Sequence, residues 1–242
     1  MIRSQKELKE VTVRERELSS EESLISSSKG AISWFQVNRN VVFITLAVLV
    51  VGVVGFFYWS TTQEENAEKA NTMLSRIVTV YQMSDWRTAI DGDKKHTVQG
   101  EPVKGLKEIV DQYGSTQAGE MAKVYLGNCY YYLGKLDSAK TVFESVSSSQ
   151  GLVKASVEAG KATIFAEKGN KAEAAKLFST AASLDKTNPM NADYTLAAAR
   201  NFEQVGKKDE AVKAYKQLLE EYPGTTFDDA AKRALIKLDV DL

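Results

Sequence analysis

The apolar run that begins at Val41 and ends at Trp59 limits most strongly what this chain can fold into. Its nineteen residues include no charged side chain. As an α-helix rising ~1.5 Å per residue, the run would extend roughly 28 Å, close to the ~30 Å apolar thickness of a lipid bilayer. A helix in a soluble core would show a polar face, and here only Thr45 interrupts the apolar sequence. We therefore expect residues 41–59 to be a transmembrane helix in contact with the lipid bilayer.

A cleaved signal peptide is the alternative interpretation of this run. Signal peptides place a shorter apolar region near the N-terminus and follow it with small residues at the cleavage site. Here the forty residues before the run are mostly polar, and the run ends in the bulky side chains of Phe56, Phe57, Tyr58 and Trp59. Aromatic rings of this kind settle at the headgroup level of a membrane. The sequence therefore predicts an uncleaved anchor.

The orientation of the anchor depends on the charged residues that flank it. Arg39 lies two residues before the apolar run, whereas Lys69 lies ten residues after it. The acidic residues between the run and Lys69 are Glu64, Glu65 and Glu68. This asymmetry favours a cytoplasmic N-terminus and an exported C-terminal part. The residues before the anchor mix both charges with little apolar periodicity, so we expect a mobile cytoplasmic tail.

Composition argues against several classes of function. The 31 basic and 32 acidic residues give a formal net charge of −1, so the chain lacks the positive field that attracts nucleic acid. Cys129 is the one cysteine and His96 the one histidine, which leaves no internal disulfide, zinc site or catalytic triad. We therefore expect a protein that is not an enzyme, with no nucleic-acid partner, no cofactor, and no catalytic, cofactor-binding or metal-binding residues.

A repeated spacing dominates the sequence after the anchor. A glycine is followed five residues later by an alanine and four residues after that by an aromatic residue, with periods of 35 and then 37 residues. The three sets are Gly134, Ala139 and Phe143; Gly169, Ala174 and Phe178; and Gly206, Ala211 and Tyr215. Before each glycine come a small residue and an aromatic residue: Gly127 and Tyr130, Ala162 and Phe165, and Ala199 and Phe202. Each unit is therefore predicted to be two helices joined at the glycine.

The residue types fit such a helix pair. Antiparallel helices approach closely only where side chains are small, so the alanines and Gly127 are expected to face one another while the aromatic rings fill the space beside them. A helix that ends at a glycine often does so with a positive φ angle, which glycine adopts without strain.

An incomplete unit precedes the three repeats. Residues 102–126 parallel residues 211–235 at a constant offset of 109. The parallel predicts that residues 102–113 form a second helix whose first helix is supplied by residues 64–83. The segment between them, residues 84–101, is then an inserted loop.

The predicted architecture is all-α: a single transmembrane helix followed by an α-solenoid of antiparallel helix pairs. A solenoid also needs a terminal helix that covers its last apolar face, and residues 227–238 have the required apolar stripe. The predicted divisions begin with the tail at residues 1–33 and the anchor with its flanks at residues 34–62. The degenerate repeat follows at residues 63–119, with its inserted loop at residues 84–101. Three repeats then span residues 120–225, at 120–153, 155–188 and 192–225, and the capping helix is residues 226–242.

The third unit resembles a tetratricopeptide repeat through Ala199, Phe202, Gly206, Ala211 and Tyr215, and the first unit resembles one through the equivalent positions. In that family, helix pairs stack into a right-handed superhelix whose concave groove binds partner peptides. The groove residues that the resemblance implies are Met121, Val124, Asn128, Tyr131 and Tyr132 in the first unit and Leu196, Arg200 and Glu203 in the third. The alternative for the two tyrosines is that they pack against the neighbouring helix.

The order of tail, single span and helical repeats resembles bacterial inner-membrane proteins with tetratricopeptide repeats that are ancillary subunits of the Sec translocon. The resemblance implies an inner-membrane protein whose periplasmic repeats act as a scaffold for other proteins. The implied partners are translocating chains, periplasmic chaperones or envelope-assembly proteins at the translocon. The alternative is a structural subunit of a fixed membrane complex that has one stoichiometric partner.

Overall fold

The structure is a computed structural model that describes the backbone of residues 5–98 and 101–240 and the side chains of residues 34, 36–93, 97 and 102–240. Within these residues the chain forms ten helices and one two-stranded hairpin. The elements are α1 (Gln5–Gln82), α2 (Trp86–Asp91), β1 (Gly92–Val98), β2 (Glu101–Lys104), α3 (Leu106–Tyr113), α4 (Gln117–Tyr132), α5 (Leu136–Glu144), α6 (Gly151–Glu167), α7 (Lys171–Leu184), α8 (Asn191–Gln204), α9 (Lys208–Glu221) and α10 (Asp228–Lys237).

Helix α1 is much longer than the predicted span. It begins at Gln5, so residues 5–33 are helical throughout, where we expected at most a short helix around Gln5 to Leu18. The physical reason is composition: this stretch is rich in Glu, Lys, Arg and Leu, contains no proline, and has Gly30 as its one glycine. That this segment is a mobile tail stays a prediction. Residues 1–4 of the predicted tail lie outside the described residues.

Part of α1 is a candidate membrane span. The segment Gln36–Gln82 is long enough, and apolar enough over an 18-residue window, to cross a membrane. Nearly all the large apolar side chains of residues 41–59 are exposed to solvent, and Tyr58 is 77% exposed. Since soluble proteins rarely expose so large an apolar patch, this surface needs to be covered by something other than the chain itself.

The chain divides into two units within α1, the first ending at Thr62 and the second beginning at Gln63. In the second unit, the end of α1 packs against α3 and α4. Ile77 of α1 shares one buried cluster with Leu106 and Ile109 of α3 and with Cys129 of α4. Residues 64–83 therefore contribute to the core around the α3 segment, and that they form the first helix of its repeat stays a prediction. Burial raises the pKa of the Cys129 thiol to about 12, so this cysteine acts as a small apolar core residue.

The helix pairs α4–α5, α6–α7 and α8–α9 follow one another along the chain, as the tetratricopeptide resemblance implies. Each pair is joined at a glycine with positive φ: 72° at Gly134, 81° at Gly169 and 74° at Gly206. In each joint, the N–H of the residue after the glycine donates to the carbonyl of the preceding aromatic residue. The three bonds are Lys135 N to Tyr130 O at 2.8 Å, Asn170 N to Phe165 O at 2.8 Å, and Lys207 N to Phe202 O at 3.0 Å. The same helix-capping turn therefore occurs three times, and this explains the repeated glycine spacing.

The ring of Phe143 joins the first repeat to the second. Phe143 on α5 is 1% exposed. A Cβ atom added at Gly127 of α4 would lie 2.7 Å from its Cε1 atom, and a Cβ atom added at Gly160 of α6 would collide with its Cζ atom. The ring therefore fills a slot between two helix backbones that only glycine leaves open. The prediction placed Gly127 against Ala139, and the structure puts the aromatic ring closest to it.

The inserted segment is not a loop. Residues 86–91 form α2, and β1 and β2 form an antiparallel hairpin in which Gly92 faces Lys104 and Val98 faces Glu101. The structure therefore adds a small sheet to a fold predicted to be all-α. His96 lies on β1, and its side chain is outside the described residues.

The hairpin also shortens the helix predicted at residues 102–113. Pro102 is in β2 and α3 begins at Leu106, so the expected position of Pro102 in the first helical turn is wrong. A proline lacks the N–H that a ladder needs, but a two-stranded hairpin has free edges where proline is tolerated. Gly92 and Gly105 allow the base of the hairpin to close, because a Cβ at Gly92 would meet the backbone oxygen of Val103 at 2.5 Å.

A buried carboxylate holds the segment between α5 and α6. Glu120, at 5% exposure, accepts hydrogen bonds from the backbone N–H of Ser147 at 2.7 Å and from its hydroxyl at 2.8 Å. Lys123 lies 2.8 Å from the same carboxylate and donates to the carbonyl of Ser145 at 3.2 Å. Burial alone would raise the pKa of Glu120, but the hydrogen bonds from Lys123 and Ser147 outweigh it and lower the pKa below its ordinary value.

Gly160→Ala tests the slot around Phe143. Alanine is favoured over glycine in a helix by about 1 kcal/mol, yet we expect this change to lower the free energy of unfolding by about 1–3 kcal/mol through overpacking. In a Phe143→Leu background the ring edge is gone, so the same change should be neutral or stabilising. Urea unfolding followed by circular dichroism measures all four proteins. An equal cost in both backgrounds would show that the ring does not occupy the slot.

Glu120→Gln tests the buried carboxylate and its pH dependence. Glutamine retains the size but loses the charge, and we expect a loss of about 1–3 kcal/mol in unfolding free energy at pH 7. Because the folded-state pKa of Glu120 is lowered, its stabilisation is complete above the ordinary value of 4.5 and is lost as the pH falls through the lowered value. The difference between the two proteins should therefore shrink at pH 3. Glu144→Gln, at an exposed pair with Lys140, is the control and should cost no more than about 0.5 kcal/mol.

Candidate protein-binding surface

Five aromatic side chains meet where the end of α1, the start of α2 and helix α4 come together. We call this set, Tyr81, Trp86, Tyr125, Tyr131 and Tyr132, the aromatic surface. Trp86 stacks on Tyr132 with ring centroids 4.4 Å apart and an interplanar angle of 14°. Tyr81 meets Trp86 edge to face at 5.2 Å and Tyr125 at 4.8 Å. Such pairs contribute about 0.5–1.5 kcal/mol each beyond the area they bury.

Local sequence explains how these rings meet. Tyr125 and Tyr132 are seven residues apart, so they lie two turns apart on one face of α4. After α1, Ser84 takes a positive φ of 61°, and the Asp85 side chain accepts a hydrogen bond from Thr88 N at 3.2 Å. This capped turn reverses the chain and places Trp86 against α4.

Asn128, a predicted groove residue, connects α4 to α1. Its side-chain amide donates to the Tyr81 hydroxyl at 3.4 Å. Burial raises the pKa of Tyr81 to about 12, so that hydroxyl remains protonated. The amide of Asn128 is therefore used within the second unit of the chain.

Tyr131 and Tyr132, neighbours on α4, point to different surroundings. The Tyr131 hydroxyl donates to Glu167 of α6 at 3.1 Å, and burial together with this carboxylate raises its pKa. Tyr132 is 56% exposed although one face of its ring is covered by Trp86. The two tyrosines meet edge to face at 5.4 Å. Tyr132 thus offers an anchored aromatic ring to solvent.

Two of the predicted groove residues are in the core. Val124 and Leu196 are each 4% exposed, Val124 beside Phe143 and Leu196 among the buried residues of α8 and α9. Their assignment to an open groove is wrong, because both lie on helix faces that pack against a neighbouring helix. Met121 is half-buried against the same cluster as Val124.

The remaining predicted residues belong to α8. Arg200 is exposed. Glu203 accepts hydrogen bonds from the Tyr215 hydroxyl and from Lys237, both at 2.8 Å, and the bond from Lys237 lowers its pKa. Glu203 therefore connects α8 to α9 and to α10. Among the residues that the structure describes, no hydrogen bond, ion pair or ring contact connects Leu196, Arg200 or Glu203 to a residue of α4.

Tyr81, Trp86 and Tyr125 were not predicted to be surface residues. Trp86 lies in the predicted inserted loop of residues 84–101, and Tyr81 lies in the helix predicted at residues 64–83. A tryptophan in a segment predicted to be a loop was an available signal, because exposed loops seldom retain so large an apolar ring without a packing partner. In the described part of the chain, no group of three or more His, Cys, Asp or Glu side chains is arranged to hold a metal ion.

The sequence of this chain matches the model of a known protein family. The model of a tetratricopeptide repeat-like domain matches residues 33–241, which is most of the chain. A search of curated proteins found no match. The matched region includes the candidate span, the hairpin and every helix of the second unit.

Proposed function

We propose that this chain, which belongs to the tetratricopeptide repeat-like domain family, is a membrane-anchored scaffold that binds other proteins through its aromatic surface. The observation that carries the proposal is the Tyr132 ring, which is held in place by Trp86 and yet is 56% exposed. Tyrosine and tryptophan are enriched among the residues that dominate protein–protein binding energy. An aromatic ring that is already fixed loses little conformational entropy when a partner covers it.

The free energy that the Tyr132 side chain can contribute to binding supports this role. An aromatic side chain buries about 150–250 Å², so covering the exposed half of Tyr132 contributes roughly 2–3 kcal/mol at ~25 cal/mol per Å². Met83 directly follows α1, is 73% exposed and lies three residues before Trp86 in the chain. Methionine adapts to irregular partner surfaces because its side chain is unbranched and polarisable.

The membrane anchor is residues 41–59 in this proposal. The exposed apolar face of this segment is long enough to cross a bilayer, and lipid is the environment that would cover it without an energetic cost. Arg39 before the segment and the acidic residues after it support a cytoplasmic N-terminus and a periplasmic second unit in a bacterial inner membrane.

The proposed partners are proteins at the secretion translocon: translocating chains, periplasmic chaperones or envelope-assembly proteins. The support is the order of elements, namely one span followed at once by helical repeats. A structural subunit bound to one stoichiometric partner uses the same surface, and the two differ in the number and stoichiometry of the proteins bound.

A photo-reactive amino acid at position 132 tests the surface in native membranes. We expect it to crosslink other proteins, identified by mass spectrometry, because a partner covers that ring. Position 216 on α9 is the matched control, since Lys216 is also exposed but belongs to no aromatic cluster. Many sub-stoichiometric products support a scaffold for changing clients, and one stoichiometric product supports the structural subunit. No more capture at 132 than at 216 contradicts the proposed surface.

Protease added to bacterial spheroplasts tests the topology. We expect digestion of the second unit, from Gln63 onward, and protection of the segment before the span. Intact cells, whose outer membrane excludes the protease, are the control. Survival of the second unit in spheroplasts would place it in the cytoplasm and remove the proposed periplasmic partners.

A further inference from the structure

A second surface feature, separate from the aromatic surface, is a cleft of about 380 Å³ between α2, α3 and the joint of α4 and α5. We call it the basic cleft. Its walls carry the positive side chains of Arg87, Lys107 and Lys135 and the carboxylate of Asp91. Its apolar residues are Ile90, Leu133 and Tyr130. The lining has a formal charge of +2, in a chain whose net charge is −1.

Within the described part of the chain, none of the three cations of the cleft forms an ion pair, and Asp91, the one carboxylate of the lining, offsets one of their three charges. Most lysines of the second unit that form a described ion pair do so with a carboxylate three or four residues away along the chain. Lys161, for example, lies 2.9 Å from Glu158. Among the described residues, no carboxylate lies within ion-pairing distance of Arg87 or Lys107. Lys135 lies over the Tyr130 ring at 5.8 Å from its centroid and has no described carboxylate partner. Like charges held together repel, so this arrangement favours a bound anion.

Three of the seven lining residues of the cleft come from the insertion. Arg87, Ile90 and Asp91 belong to α2, which lies in the segment between the two helices of the incomplete unit. Helices α2 and α4 also supply Trp86 and Tyr132 to the aromatic surface.

We propose that the basic cleft binds an acidic segment of a partner protein, with two carboxylates engaging Arg87, Lys107 and Lys135. Two carboxylates match the formal charge of the lining, and a guanidinium binds a carboxylate through two parallel hydrogen bonds. The apolar floor of Ile90 and Leu133 accommodates the aliphatic part of a glutamate side chain. This inference rests on the proposed scaffold function and specifies the chemistry of its partner.

The test uses the full chain in detergent micelles and a fluorescein-labelled deca-glutamate peptide, with deca-glutamine as the uncharged comparison. Fluorescence anisotropy at about 50 mM NaCl, where screening is weak, should detect binding of the first peptide only. The triple variant Arg87→Gln, Lys107→Gln and Lys135→Gln should weaken binding at least about tenfold, because it removes charge-assisted hydrogen bonds.

A matched control separates the cleft from general charge. The variant Lys213→Gln, Lys216→Gln and Lys232→Gln removes the same charge from exposed positions of α9 and α10 and should change the affinity less than about twofold. Asp91→Asn removes the carboxylate of the cleft and should tighten binding by a few-fold, a gain that misfolding does not produce. Melting curves confirm that each variant is folded.

Equal weakening by both triple variants overturns the proposal, and so does unchanged binding by the cleft variant together with no tightening by Asp91→Asn. Displacement of the peptide by inorganic phosphate, far beyond that by sodium chloride of the same ionic strength, would assign the cleft to phosphate instead and also overturns it. The crosslinking at position 132 requires none of these cations. Its success beside a failed cleft test would leave the scaffold function intact.

Discussion

The contact of the Phe143 ring with the backbones of two helices is the interaction on which the repeat array depends. A solenoid has no central core, and each repeat is stabilised by its neighbours. Between the first and second repeats, the contact includes an aromatic ring that meets Gly127 and Gly160, on helices that precede and follow it in the chain. A side chain at either glycine would collide with the ring, so the absence of a Cβ atom at Gly127 and Gly160 allows both helices to approach Phe143 closely.

The capping turns provide the second constraint. In all three joints a glycine with positive φ allows the next N–H to reach the carbonyl of an aromatic residue five positions earlier. The same aromatic residue is therefore held through its backbone by the turn and through its ring by the core. The same few residues therefore determine both the direction of the helices and the packing of their side chains. The repeat can recur along the chain while its other positions differ.

Those constraints explain which predictions succeeded. The glycine and aromatic positions act locally, so their spacing in the sequence was enough to place the joints and the helix pairs. Val124 and Leu196 were misassigned because helical periodicity identifies a face of a helix but not the neighbour that covers it. The surface position of Trp86 was not predicted, because it depends on a helix and a hairpin in a segment that the repeat pattern does not cover. The basic cleft could not be predicted from the sequence for the same reason. Its cations lie up to 48 residues apart in the sequence, at positions 87 and 135, and the tertiary structure brings them together.

The aromatic surface has a consequence for the stability of the chain. Its rings come from residues 81, 86, 125, 131 and 132, so they meet only when the end of α1 has packed onto α4. A partner that recognises the assembled rings binds the folded state and not the unfolded one. By mass action, such a partner at about one hundred times its dissociation constant adds about 2.7 kcal/mol to the stability of that packing. Copies of the chain without such a partner would then be the less stable ones, and a protease that cleaves the unfolded state would remove them preferentially.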